Sequence, residues 1–417
     1  MENRFNLFFK KNFKLIVSII IILSLSISLL GIFFIGQCST NNFNDCLSEK
    51  GYLMSDFYWH FNVIKYISAY GEIPLIVDDM NDGGPKGDIL TGEGRGIFHS
   101  PLYYYIVAIL YNLTQSLLSI ILISVLFALL TNLFFLFFLV KISQTMKEKE
   151  IFIIFSLAIF AFLPVQLLTS ILIHPSVLYL PATILSLLFY INLLKEPNYK
   201  NSIALGFFIG LSLLSDIKGL VLPSVLFFYT LYYLIKKKHN LFKYLFLSLF
   251  IGGLIGFYIF IRNYFLFGST VGFYNKVYNY HEFSKLIDYF GAFWGGIYGG
   301  NDSIKLILSL AILILSLITL YSLFKNKFGK KYNLEVVVMT GILSLILGFF
   351  LTCKIEFLIS SYQCIGDIVQ GRYLIILDPI IAIFSGLILR NTKWFISVLY
   401  ILILSTLFSI DFLWALF

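Results

Sequence analysis

The sequence predicts an all-α polytopic membrane protein, and three features carry that expectation. Only 12% of the 417 residues are charged and 59% are hydrophobic, whereas a soluble domain has about a quarter charged residues. Apolar runs long enough to cross a bilayer recur along the whole chain. The basic residues cluster at alternate ends of those runs, as the positive-inside rule requires of cytoplasmic loops.

The elements follow in order. Arg4, Lys10, Lys11 and Lys14 precede the first apolar run, 15–35, which is longer than a signal-peptide core and lacks a small-x-small cleavage site. It is expected to be a retained first span. Further spans are expected at 117–140, 151–172, 177–194, 202–215, 219–235, 244–266, 303–324, 334–353, 372–390 and 394–416, about eleven in all. An odd number of spans from a cytoplasmic N-terminus puts Lys147 and Lys149, Lys236 to Lys238, and Lys325 to Lys331 on the inside, and the C-terminus on the outside. A cell-membrane location follows as the expectation. The whole chain, 1–417, is read as one transmembrane domain.

Outer segments of real length fall at 36–116, 267–302 and 354–371. The first holds an irregular stretch, "DDMNDGGPKGDILTGEGRG", rich in turn residues. Short helices are expected on either side of it, at 56–70 and 101–112, lying at the interface where Tyr and Trp are favoured. Cys38 and Cys46, and Cys353 and Cys364, all fall on the outer side in two local pairs. Disulfides form in such compartments, and small buried thiols are the alternative.

The net charge of +8 does not point to nucleic acid, because the basic residues sit at span ends and form no face interleaved with stacking aromatics. No Gly-x-x-x-x-Gly-Lys-Ser/Thr loop is present, which argues against an ATP-driven pump. Acids and histidines instead crowd the outer ends of spans, where charge near lipid tends to mark a hydrated cavity or a substrate path. Snorkelling of single basic side chains is the other reading.

The ordered motifs bear a family resemblance. "DFYWHFNVIKYISAYGEIP" and "HSPLYYYIVAILY" are followed by "GLSLLSDIKGLVL", "IRNYFLFGSTVGF", "GAFWGGIYGG" and "QGRYLIILDPIIAI". In that order, over residues 10 to 390, the chain resembles the GT-C membrane glycosyltransferases, more narrowly the protein-mannosyltransferase-like (family 39-like) group that uses polyprenyl-phosphate sugars. The resemblance implies a GT-C-like fold and an inverting transfer of a sugar from a polyprenyl-phosphate donor to a protein, glycan or lipid acceptor at the outer face. Asp56 sits at the family's acidic position and is the candidate general base, the role a carboxylate plays in activating a hydroxyl. His60 matches the family's histidine, and His99 and Tyr103 fall where they would line the pocket. Arg372 resembles the arginine that would grip the phosphate bidentately, with Arg262 and Lys218 as further candidates.

Two departures stand out. Phe57 occupies the position of the family's second acid, so Asp78 and Asp79 are candidates to supply the missing charge, or to be solvated loop acids. His174-Pro175 stands where a second-loop acid is common. Oxygen and imidazole groups together permit a divalent metal, but no dedicated metal motif indicates one. The rival readings are a transporter or flippase, and an inactive lipid-binding assembly protein that has kept the fold. A transporter is disfavoured because no two halves of the chain correspond.

Overall fold

The computed structural model describes residues 4–37, 53–73, 100–144, 146–267, 353–356, 361–364 and a few positions between 379 and 387. The described chain is helical, with one short hairpin. In order come α1 (Arg4–Lys11), α2 (Phe13–Gln37), α3 (Leu53–Tyr70), α4 (Leu102–Thr114), α5 (Leu117–Ile142), α6 (Lys149–Phe162), α7 (Pro164–Ile171), α8 (Ser176–Lys195) and α9 (Tyr199–Ser215). A 3₁₀ turn (Ile217–Leu220) leads into α10 (Val221–Ile235), α11 (His239–Gly256) and α12 (Tyr258–Phe267). Strands β1 (Cys353–Glu356) and β2 (Ser361–Cys364) pair antiparallel. Among the described residues, five helical stretches are long and apolar enough to cross a membrane: Phe13–Ile32, Leu117–Ile142, Ser176–Lys195, Lys218–Ile235 and His239–Gly256.

Two expected spans are interrupted. The run 151–172 breaks at Leu163, whose φ −58° and ψ 130° are extended. The cause is Pro164, which disfavours helical backbone in the residue before it and is itself suited to the first turn of α7. The run 244–266 begins earlier, at His239, and breaks at Phe257 between α11 and α12. The run 219–235 is entered through the 3₁₀ turn. The expected spans 303–324, 334–353 and 394–416 lie outside the described residues, apart from Cys353 itself. The hairpin adds a small sheet to the segment 354–371, read from sequence as a loop.

The Cα positions fall into two compact units. In the first (Met1–Ser28, Leu129–Leu168 and Val277–Phe417), polar side chains tie apolar helices together, as bilayer-embedded bundles require. Asn132 Nδ2 donates to Ser24 Oγ at 3.3 Å, and Ser24 Oγ donates to the Ala161 carbonyl at 3.3 Å. The Phe135 and Phe160 rings meet at a tilt of 34°, with centroids 4.1 Å apart.

The second unit (Leu29–Ala128 and Thr169–Lys276) is built on the close pairing of α9 and α11. Ser202, Gly206 and Gly210 recur every fourth residue on α9, and Ser248, Gly252 and Gly256 do the same on α11. The two stripes interlock. A Cβ on Gly206 would come 2.6 Å from the Ser248 carbonyl oxygen, and one on Gly252 would come 2.6 Å from Ile209 Cγ2. Small residues admit this approach, and backbone contact with hydrogen bonding then replaces the missing hydrophobic drive within lipid. Ser202 Oγ donates to the Tyr244 carbonyl at 2.6 Å, and Ser248 Oγ to the Ser202 carbonyl at 3.0 Å.

The ends of α9 differ in chemistry. At its start, Lys243 lies over the rings of Tyr199 and Tyr244 at 5.0 and 5.7 Å, while Lys236 and Lys238 sit over Tyr232 and Tyr233 at the end of α10. At its other end, roughly 25 Å away at 1.5 Å per residue, stands Asp216. The lysine clusters and the acidic position therefore occupy opposite ends of the same helices.

Candidate active site

Four segments of the second unit converge beside the C-terminal end of α9. The first is α3, which is more enclosed than one polar face would suggest. His60, Phe61, Asn62, Val63, Ile64, Tyr66 and Ile67 are all buried, and Lys65 is half-buried with its ammonium 4.5 Å from the Phe61 ring centroid. The helix stops at Gly71, whose φ of +74° suits glycine, with Gly71 N–H donating to the Ile67 carbonyl at 2.8 Å. Ser68 Oγ donates to Asn112 Oδ1, and the rings of Phe61 and Tyr111 meet edge-on, so α3 is bound along α4.

The second segment is the start of α4. Ser100, fully buried, donates from Oγ to the Leu213 carbonyl at 2.7 Å, pinning the entry of α4 against the last turn of α9. This places Tyr103 and Tyr104, both buried, inside the cluster. Burial raises the pKa of both hydroxyls. Ser124 of α5 and the His174 backbone partly offset this for Tyr103, while the neighbouring Tyr103 hydroxyl and the Asp216 carboxylate reinforce it for Tyr104. Both phenols are therefore neutral at physiological pH.

The third is the turn Leu172–Pro175 before α8. His174 precedes a proline, which keeps it out of helical backbone. The Ser176 N–H donates to His174 Nδ1 at 3.0 Å, so a neutral His174 carries its proton on Nε2. The His174 ring meets the His60 ring edge-on, with centroids 4.7 Å apart. On its other flank His60 Nδ1 is 2.6 Å from the Tyr104 hydroxyl. His60 is thus fixed from both sides.

The fourth is the connection from α9 to α10. Asp216, fully buried and extended, caps the 3₁₀ turn by accepting at Oδ1 from the Lys218 N–H at 3.1 Å. Its Oδ2 accepts from Ser176 Oγ at 3.2 Å and pairs with Lys218 Nζ at 3.1 Å, and Nζ donates to Ser176 Oγ at 2.9 Å. The turn can fold back this tightly because residue 219 is glycine. A Cβ there would lie 2.5 Å from the Ser212 carbonyl oxygen and 2.6 Å from the Leu213 nitrogen.

Of the residues singled out from sequence, His60, Tyr103 and Lys218 are described with their side chains here. Asp56 lies on α3 four residues before His60, hence on the same face of the helix. Arg262, on α12, is half-buried and within electrostatic reach of Tyr258 and Tyr105. His99, Asp78, Asp79, Arg372, Cys38 and Cys46 lie outside the described residues. Cys353 and Cys364 are directly opposite in the β1–β2 ladder. The candidates above did not include Tyr104, Ser176 or Asp216. Their signals were present in the Tyr-Tyr-Tyr run, the Ser after His174-Pro175 and the Asp-x-Lys spacing. Among the described residues, no three His, Cys, Asp or Glu side chains are grouped to hold a metal ion.

The arrangement defines a class: a multi-helix membrane protein with a buried, hydrogen-bonded polar cluster at one end of its spans. No family model matches the chain, and no curated protein matches it in sequence. A solved structure does resemble it. ArnT from Cupriavidus metallidurans in the apo state superposes with a TM-score of 0.53 at 12% identity, over 84% of this chain and 58% of that one. The chain thus spans somewhat over half of ArnT's length. At that identity the likeness shows the fold alone, a polytopic helical architecture.

Proposed function

We propose that the chain is a membrane glycosyltransferase that moves a sugar from a polyprenyl-phosphate donor to an acceptor hydroxyl at the outer face of the cell membrane. The observation that carries this reading is the cluster of His60, Tyr104, His174, Asp216 and Lys218, set at the end of α9 away from the Lys236–Lys243 region. Lysine-rich ends favour the cytoplasm, which supports reading the cluster as outward-facing. The fold shared with ArnT supports the same reading.

In this reading Asp56 takes the proton of the acceptor hydroxyl as its oxygen attacks the anomeric carbon. The bond from that carbon to the phosphate oxygen breaks, its electron pair leaves with the polyprenyl phosphate, and the anomeric configuration inverts. Negative charge grows on the departing phosphate, so fixed cations belong there. Lys218 and Arg262 are the described candidates, with Arg372 as a further one. His60, one turn from Asp56, is held by Tyr104 and His174 where it can orient the base or the acceptor. His99 and Tyr103 would line the pocket, and Asp78 and Asp79 would add the second negative charge that Phe57 does not supply.

The test is incubation of the purified protein with a panel of radiolabelled polyprenyl-phosphate sugars and candidate protein, glycan and lipid acceptors. Label moving to an acceptor is the expected result. Movement of intact donor across a vesicle membrane without transfer would mark a transporter, and binding without either would mark an assembly protein.

A further inference from the structure

A cation that binds phosphate beside lipid must be held in place, and the long flexible stem of lysine does not do this by itself. Around Lys218 two side chains do this, Asp216 from two residues before it and Ser176 from 42 residues before it. Asp216 holds the lysine's backbone through Oδ1 and its ammonium through Oδ2, at 3.1 Å in each case. Ser176, from the start of α8, closes the triangle by accepting from Nζ at 2.9 Å and donating to Oδ2 at 3.2 Å. Exposure is divided unequally within the pair. The Asp216 side chain is 0% exposed and that of Lys218 is 14%. Of the pair, only the lysine side chain has surface that an anion could meet, and the carboxylate has none.

We infer that Asp216 is a positioning residue, which with Ser176 fixes the Lys218 ammonium to receive a phosphate oxygen of the lipid donor. The inference rests on the glycosyl-transfer reading for its ligand. Asp216 touches no substrate in this assignment and acts through Lys218. Its carboxylate holds the ammonium at 3.1 Å, and the shared Ser176 hydroxyl restricts Nζ to one place. Gly219 permits the reversal that brings residues 216 and 218 to face the same serine.

The experiment measures binding of a short-chain polyprenyl monophosphate to the full-length protein in detergent. It compares wild type with Asp216→Asn, Lys218→Gln, Ser176→Ala and the Asp216→Asn/Lys218→Gln double variant. Asn preserves the shape of Asp216, and thermal unfolding checks that each variant folds. Each single change at 216 or 218 is expected to weaken binding about tenfold, the scale of one lost charge-assisted hydrogen bond. The double variant is expected to be no weaker than Lys218→Gln alone, because both changes act through one cation. In transfer assays the Asp216→Asn effect is expected to fall more on the donor KM than on kcat, a split that a general loss of folded protein would not produce.

Asp216→Asn binding as tight as wild type or tighter, or losses at 216 and 218 that simply add, would overturn the assignment. A wild-type protein that binds no polyprenyl phosphate would instead overturn the functional reading on which it rests. The two failures are thereby told apart.

Discussion

His60 Nδ1 and the Tyr104 hydroxyl, 44 residues apart in sequence, lie 2.6 Å apart in a buried setting. The bond joins α3, which carries Asp56, to α4, whose entry is pinned to α9 through Ser100 and Leu213. The position of the proposed base is therefore coupled to the end of α9 where Asp216 sits. Tyr104→Phe removes only the hydroxyl and leaves the ring that lies against His60. The expected outcome is a stability loss of about 1–3 kcal/mol from stranding a buried histidine nitrogen, read by thermal unfolding in detergent. A drop in transfer rate larger than the lost fraction of folded protein would show that the histidine also orients the reaction.

Asp56→Asn keeps the size of the side chain and removes its basicity. Transfer is expected to fall by about 10²–10⁴-fold, the usual contribution of a general base, with expression and unfolding temperature unchanged. Retention of full activity would remove Asp56 from the mechanism and direct attention to another carboxylate.

Glycine substitutions separate two kinds of constraint. Gly219→Ala places a methyl against the Ser212 and Leu213 backbone, which cannot move aside as a flexible side chain would. A loss of about 1–3 kcal/mol is expected from overpacking, together with weaker donor binding because Lys218 is its neighbour. Gly71→Ala meets no atom within 4 Å, and its cost is the positive φ alone, about 1 kcal/mol. Thermal unfolding of both variants, with donor KM measured in parallel, checks the contrast. Equal effects of the two on KM would deny the 3₁₀ turn a role in holding Lys218.

The apolar runs made the spans legible, since hydropathy over a long window reports directly on burial in lipid. What hydropathy smooths over is where a run bends. Pro164 lies inside an unbroken apolar stretch, and only its effect on the backbone of Leu163 separates α6 from α7. His60, Tyr103 and Lys218 were legible as polar residues in motifs at span ends. Asp216 was legible as an acid at a span end, but its role and that of Ser176 were not, because those roles exist only where the starts of α4 and α8 meet the end of α9. That meeting depends on the Ser–Gly–Gly stripes of α9 and α11, which a single sequence shows as unremarkable small residues. Phe57 raised the question of a missing carboxylate. Asp216 supplies a buried carboxylate beside His174-Pro175, but it is committed to Lys218, so it is not equivalent to a second base.

Cys353 and Cys364 are cross-strand partners in the β1–β2 hairpin, as are Lys354 with Gln363 and Glu356 with Ser361. Directly opposed residues of an antiparallel pair have Cα atoms about 4.5–5.5 Å apart, inside the roughly 4.4–6.8 Å that a disulfide spans. The register permits a bridge between Cys353 and Cys364, which is proposed for a hairpin in an oxidising compartment, where a disulfide donor accepts the two electrons. Peptides bearing these two cysteines are expected to take up an alkylating label only after reduction, when the protein is purified without reductant from its native membrane. Protein made in a reducing cell-free system is expected to label at both positions at once. Removal of the bridge by Cys353→Ser should leave Cys364 open to label, and lower stability by about 2–4 kcal/mol if the loop it closes is otherwise free. Labelling of both thiols in native membranes before reduction would remove the bridge and, with it, one support for placing this hairpin on the outer side.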